Sequence, residues 1–436
     1  MRTAMSSLRF KLLSLIIAVT PILITAPATA QTPKILHSFS DLTSDGLDSL
    51  APLVFDAAGN LYGTTYYGGF SDEGTVFRLS PKANGWTVNV LYSFSNNFVD
   101  GYQPMAGVVL DSAGNIYGTT NRGGNGPCKD PLGNVIGCGT VFELVKQPGG
   151  AYDEQILYNF KVTGYDGQAP TAGLIFDSAG NLYGTTKGGT IGNGAIVRGT
   201  VFELSPSTEG TWTETILWAF NLTDGANPNG SLIFDSAGNL YGTTAAGGGT
   251  RKNGTVFELS PSGTGTWTEK VLHSFSTAST DVSLPEASLI FDSAGNLYGT
   301  GSFGGPTGGG GVFKLSPSAS GTWTETILYF FGVIPDGNNS WGSLIFDAKG
   351  NLYGTTTAGG SGQCVQEVVI GCGTIFKLTP SKHGAWTETA YSFDFTSNGD
   401  VEGPEAGLIS DSKGNLYGTT TAGGANSDGT VFKFMP

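Results

Sequence analysis

The chain has 436 residues with 35 acidic and 21 basic side chains, a formal net charge of −14 and a sequence pI near 4.6. So acidic a protein is a poor partner for nucleic acid or an anionic membrane. Charged residues make up only 13% of the chain while glycine occurs 69 times, a composition of turns and strands that leaves no stretch for a long helix.

Residues 1–30 read as a cleaved secretory signal. Arg2, Arg9 and Lys11 form its basic start, Leu12 to Ile24 its apolar run, and Ala28-Thr29-Ala30 its small-residue cleavage site. Removal takes away three basic residues and no acid, leaving 18 − 35 = −17 on the mature chain. No cysteine adjoins the site, and no later apolar run approaches the ~20 residues that span a bilayer. A secreted or periplasmic, monomeric protein is expected, with residues 31–436 as a single domain.

The mature chain is one unit repeated. The string D-x-x-G-N-(L/I)-Y-G-T occurs seven times, its aspartate at Asp56, Asp111, Asp177, Asp235, Asp292, Asp347 and Asp411, spaced by 55, 66, 58, 57, 55 and 64 residues. A period of this size indicates a propeller, solenoid or array. Each unit holds four strand-like runs, here a, b, c and d; in the third they are Leu174 to Asp177, Asn181 to Thr186, Gly199 to Leu204 and Trp212 to Phe220. The D-x-x-G-N string joins a to b as a tight hairpin, aspartate accepting from nearby amides and glycine supplying positive φ. The tyrosine that follows is expected to pack between neighbouring sheets.

Six d runs end in I-L-x-x-F or a weaker version of it, and the chain stops after the seventh c run. The missing d run is Ile35 to Phe39, at the other end of the chain. A solenoid would leave two unfinished ends; a ring lets the N-terminal strand complete the last sheet and removes both edges. An all-β, seven-bladed β-propeller with four-stranded blades is therefore expected. A tryptophan stands eight residues before the closing phenylalanine at Trp86, Trp212, Trp267 and Trp323, with Tyr152 replacing it in the second unit and Trp386 one residue closer in the sixth.

These runs, D-S-A-G-N-L-Y-G-T-T with G-T-V-F-E-L-S-P and W-T-E-T-I-L, resemble the GloVer tandem repeat of exported bacterial proteins over residues 34–436. The D-x-x-G-N-L core is also similar to propeller repeats in sensor domains of two-component regulators. The resemblance implies no catalytic residue and no ligand. Some relatives carry C-terminal anchoring tails, and ending directly after a strand at Pro436 points instead to release or periplasmic retention.

Candidate sites lie where the copies differ. The a-to-b turns are uniform, so function is expected on the opposite face, among the d-to-a and b-to-c loops. Cys128 with Cys138 and Cys364 with Cys372 fall in the two longest b-to-c loops and suit two local disulfides in an oxidising compartment; a zinc site would lack the C-x2-C spacing that marks one. Arg122, Arg198 and Arg251, with Lys187 and Lys252 nearby, form a basic sector in successive b-to-c loops, suited to a carboxylate or sulfate on a polysaccharide. Asp100, Asp166, Asp224, Asp281 and Asp400 recur as Asp-x-x-x-Pro in the d-to-a loops, with Asp45 and Asp336 related to them. Such a ring of carboxylates could hold calcium, although ordinary turn chemistry accounts for the same pattern.

No catalytic constellation emerges. His37 and His273 occupy one equivalent d-strand position and His383 a c-to-d turn, as packing or surface residues, and no G-x-S-x-G elbow exists. The expectation is a non-catalytic exported propeller binding a carbohydrate or an extracellular protein through its loop face. The alternatives are a carbohydrate-active hydrolase or lyase, diagnosed by two convergent acids, and a purely structural envelope or matrix component.

Overall fold

A computed structural model describes residues 33–40, 45–161, 166–191, 195–249, 253–263, 265–362, 364, 371–382, 384–394 and 401–436. The signal segment, Arg251, Lys252, His383 and Asp400 lie outside these residues. The described chain contains no helix, and its main strands form seven four-stranded antiparallel sheets in a-b-c-d order. In the third sheet the strands are Ile175–Phe176, Leu182–Thr186, Thr200–Pro206 and Trp212–Ala219. They match the predicted runs, except that a is only two residues long. In the seventh, Ile409–Ser410, Leu416–Thr420 and Thr430–Phe434 are completed by Lys34–Ser38, with Lys34 opposite Lys433 and Ser38 opposite Thr430.

The repeated string explains its own recurrence. Asp177 Oδ1 accepts from the amides of Ala179 and Asn181 at 2.8 and 2.9 Å, while Oδ2 accepts from Asn181 Nδ2 at 2.8 Å and the Tyr183 hydroxyl at 3.2 Å. Partial burial pushes this carboxyl upward, but the hydrogen bonds from Asn181, Ala179 and Tyr183 outweigh it and hold the group below the usual aspartate range. Gly180 takes φ +89°. A second glycine in the string has a different duty: a Cβ on Gly184 would lie 2.6 Å from Phe202 Cζ, so glycine lets the c-strand ring pack against the b-strand backbone.

The two threonines that follow divide the labour. The second, Thr186, meets Thr200 Oγ1 at 2.6 Å within its own sheet. The first reaches the next sheet: Thr185 Oγ1 donates to the Pro228 carbonyl, Thr243 to Ala287, and Thr419 to Ala51 across the junction of the last and first sheets. Each string tyrosine packs into the following sheet as expected, Tyr183 lying edge-on to Phe234 at 5.1 Å and near Trp267 at 6.5 Å. One buried cluster, with Phe39, Leu53, Leu61, Phe77, Tyr417 and Val431, joins the seventh sheet to the first in the same way.

Two features went unread in the sequence. The c–d pairing slips by one residue between Val201 and Phe202, and at the same place in five other sheets, the closing seventh among them, but not in the sixth. That missing bulge is why Trp386 stands one residue closer to its phenylalanine, since a bulge inserts one extra residue in the bulged strand. In addition, d-to-a and b-to-c loops pair in short ladders, such as Gly101–Tyr102 with Arg122–Gly123 and Asp166–Gln168 with Gly188–Ile191. These ladders hold both loop sets to one face.

Candidate binding site

The seven repeats differ most informatively at one position just before strand a. It is Leu50, Met105, Thr171, Asn229, Glu286, Trp341 and Glu405, and all seven line two overlapping axial cavities of about 370 and 450 Å³. The neighbouring small residues are fixed by inter-sheet bonding: the carbonyls of Ala51, Ala106, Ala172, Ala287, Gly342 and Ala406 each accept from a string threonine of the preceding sheet. A uniform backbone therefore presents a variable side chain to the axis. The second cavity also reaches Lys187, Asn227, Ala246 and Leu284, residues of the b-to-c and d-to-a loops, so it opens toward the loop face.

The lining is two-sided. Leu50 and Met105 make an apolar arc, and Trp341, 40% exposed, offers an open aromatic surface. Opposite them Thr171 Oγ1 donates to Asn229 Oδ1 at 3.2 Å, and Asn229 Nδ2 donates to Glu286 Oε2 at 3.4 Å. Behind this arc, amide-to-hydroxyl bonds from Gly173 to Ser231, Ser231 to Ser288 and Ser288 to Ser343 tie four sheets together. Burial raises the Glu286 carboxyl, opposed by the Lys187 charge and the Asn229 hydrogen bond. Burial, with the charges of Asp48 and Glu286, pushes Glu405 up to about 7. The cavity thus holds two acids that the other repeats lack at this position, one of them poised near neutrality.

Three members of the basic sector, Lys187, Arg122 and Arg198, lie among the described residues. Lys187 lines the cavity, whereas Arg122 stands beside Tyr66, Tyr102 and Glu73, and Arg198 is exposed, its backbone bonded to Phe220 and Asn227. Large apolar side chains are exposed on the same loops, among them Phe70, Phe98, Leu132, Ile196 and Phe303.

Both disulfides form as expected, Cys128–Cys138 and Cys364–Cys372. Cys138 and Cys372 are buried in core clusters with Phe160 and Phe393, so the bridges anchor the roots of the long loops and leave tips such as Leu132 in solvent. With all four cysteines paired, the protein suits an oxidising, extracellular or envelope setting.

The described d-to-a aspartates are not among the residues that line the axial cavity. Each described one sits beside strand d, at the far edge of its sheet, closing the turn that follows. Asp100 accepts from the Ser95 amide and the Tyr92 hydroxyl, Asp336 from the Gly332 amide and the Tyr329 hydroxyl, Asp224 from the Asn221 amide and Trp218 Nε1, and Asp166 from the Tyr158 hydroxyl. His37 serves Asp45 in the same way at 2.9 Å. A glutamate from the next sheet's d strand faces five of these aspartates: Glu154, Glu214, Glu269, Glu325 and Glu388. Burial first, and the aspartate charge second, push these glutamates up to about 7 or 8.

Taken together, the sheets and the axial cavity define an all-β, propeller-like repeat protein. The chain belongs to the Gloeobacter/Verrucomicrobia repeat family, whose pattern it matches over residues 22–129, 128–361 and 248–436. No curated protein matches it in sequence. Among solved structures it is similar to PorZ, an essential bacterial surface component of the type-IX secretion system of Porphyromonas gingivalis, at 14% identity and a TM-score of 0.41 over 83% of this chain and 44% of that one. The chain thus spans less than half of PorZ. It is also similar to a putative oxidoreductase (glucose dehydrogenase) of Thermus thermophilus, at 13% identity and a TM-score of 0.41 over 93% of this chain and all of that one. No helix among the described residues is long and apolar enough to cross a membrane.

Proposed function

We propose that the seven sheets form a closed, seven-bladed propeller, exported after loss of its leader, that binds a carbohydrate end-on in the axial cavity. The pairing of Lys34–Ser38 with Thr430–Phe434 and the Thr419 to Ala51 bond support closure. The ring of seven side chains of six kinds carries the assignment to the cavity. An aromatic face and an apolar arc suit the C–H faces of a sugar ring, and the Asn229–Glu286 arc with Glu405 suits its hydroxyls. With Lys187 as the one cation at the wall among the described residues, a neutral sugar fits better than a polyanion.

The test is a glycan array on the mature protein, followed by calorimetry with the best ligand. Trp341→Ala and Glu286→Gln should each weaken binding at least tenfold, about 1.4 kcal/mol. Full retention in both would remove the cavity assignment. The triple replacement of Arg122, Arg198 and Arg251 measures what the outer loops add for a longer or charged chain.

A second reading, glycoside hydrolysis, is favoured by one observation: Glu286 and Glu405 share the cavity, and Glu405 keeps a proton to about pH 7, as a general acid requires. Turnover of a polysaccharide panel abolished by Glu405→Gln would select it, and binding without turnover would discard it.

A further inference from the structure

We infer that the junction between the fourth and fifth sheets is a binding site for a transition-metal dication, with zinc as the best match, formed by His273, Asp281 and Glu325. The reasoning compares the repeats with one another. At the other described junctions the aspartate of the d-to-a loop is served by a ring donor from the preceding d strand: Tyr92 to Asp100 at 3.0 Å, Tyr158 to Asp166 at 3.2 Å, Trp218 to Asp224 at 3.2 Å and Tyr329 to Asp336 at 2.9 Å. Where a histidine takes this place in the seventh sheet, His37 Nε2 bonds Asp45 Oδ2 at 2.9 Å, and the residue opposite is Val88 in place of a glutamate. Histidine, aspartate and glutamate meet together only at His273, Asp281 and Glu325 among the described residues.

There the donor bond is not made. His273 Nε2 has no hydrogen-bond partner and lies 3.5 Å from Glu325 Oε2. Asp281 is 7% exposed; its Oδ2 accepts from the Ser276 amide at 2.7 Å, and its Oδ1 has no partner. Glu325 Oε1 is likewise buried without one, as are the matching acid oxygens of Asp100 with Glu154 and Asp166 with Glu214, so the unpartnered His273 Nε2 is what sets this junction apart. One ligand atom from each of the three side chains lies within 4.8 Å of the other two. Adding an unpaired imidazole nitrogen to the two acid oxygens is costly, about 1–3 kcal/mol for such a group. A dication would satisfy them at once.

The donor set selects the metal. One imidazole nitrogen with two carboxylates, leaving a fourth position for water, matches zinc and disfavours calcium, which takes six to eight oxygens. Zinc bonds of about 2.0–2.2 Å place tetrahedral ligands roughly 3.3 Å apart, so the trio must draw in by about an ångström. The Ser276 amide holds the aspartate, and the Phe275 ring, edge-on to His273 at 4.7 Å, backs the imidazole; such outer contacts orient metal ligands. The site lies at the sheet edge remote from the axial cavity, so its role is to clamp two sheets.

The test uses the mature protein stripped with a chelator and titrated with zinc chloride by calorimetry, with cobalt substitution read by visible absorption. One dication per chain should bind, raise the melting temperature, and give a cobalt spectrum with nitrogen and oxygen ligands. His273→Tyr rebuilds the arrangement of three other junctions and should fold, yet weaken binding at least about 100-fold, the upper end of what outer-shell losses cost. Glu325→Gln should do the same, and His37→Tyr should change nothing. Absence of saturable zinc binding to a folded wild-type protein, or wild-type affinity in His273→Tyr, would overturn the assignment.

Discussion

The paired carboxyls between sheets make stability depend on pH in an unusual direction, and Glu214 tests this most cleanly. Its carboxyl is pushed up to about 8 by burial and by the charge of Asp166, itself raised to about 6 chiefly by burial. A group whose folded pKa exceeds its unfolded value contributes stability that is complete below the unfolded value, 4.5, and is lost as pH rises through the folded one. Stability should therefore fall between pH 4.5 and 8, in contrast to the string aspartates, whose lowered values cost stability only in stronger acid. The full shift corresponds to about 5 kcal/mol at 1.4 kcal/mol per unit, and solvent screening of this partly exposed side chain reduces the expected effect to about 2 kcal/mol. Glu214→Gln keeps the shape, cannot ionise, and offers an amide to the unpartnered Asp166 Oδ1. With about 2 cal/mol/K of unfolding entropy per residue, it should melt about 2–3 °C above wild type at pH 8 and no higher than wild type at pH 5. Scanning calorimetry at both values decides. A wild-type melting temperature that rises from pH 5 to 8, or a variant equally destabilised at both, would refute the reasoning.

Three further outcomes are expected. Replacing Cys128 and Cys138 together by serine should cost about 2–3 kcal/mol by urea unfolding, as for a short closed loop, and Cys364 with Cys372 a similar amount. Thr419→Val removes the bond to the Ala51 carbonyl and should cost about 1–2 kcal/mol, as much as Thr243→Val at an internal junction; a silent Thr419→Val beside a costly Thr243→Val would argue against closure. Gly184→Ala forces a methyl against Phe202 and should cost at least about 1–3 kcal/mol, while Gly263→Ala, with open space around it, should stay within about 0.5 kcal/mol of wild type by the same assay.

Much of the architecture could be read before any coordinates because the repeat is dictated by local chemistry. Asp177, Gly180, Asn181 and Tyr183 close their hairpin with one another, so the string alone locates strands a and b. Likewise Ile35 to Phe39 announces itself as a d strand by matching six others. The axial ring stayed hidden for the opposite reason. Leu50, Met105, Thr171, Asn229, Glu286, Trp341 and Glu405 are single-residue differences inside a register held constant by inter-sheet bonds, whereas long loops and rare arginines stand out in the sequence. The partnership of five d-to-a aspartates with a d-strand ring did leave a signal, since His37, Tyr92, Tyr158, Trp218 and Tyr329 all carry an N–H or O–H at one repeat position. That common property, hidden by the change of residue type, would have placed those aspartates in turns and not around the channel.

The strand Lys34–Ser38 has a consequence for the order of events in synthesis. Its partner, Thr430–Phe434, is made only after all seven copies of the string. A chain made from its N-terminus presents one half of this pairing before the first string and the other after the seventh. Until then the seventh sheet lacks its outer strand, and Phe39 lacks the cluster shared by Phe77 and Tyr417. Bringing segments so distant together is slow compared with hairpin formation. Completion of the seventh sheet thereby waits for synthesis of all seven repeats, and the same junction leaves an early-released fragment with an unpaired edge.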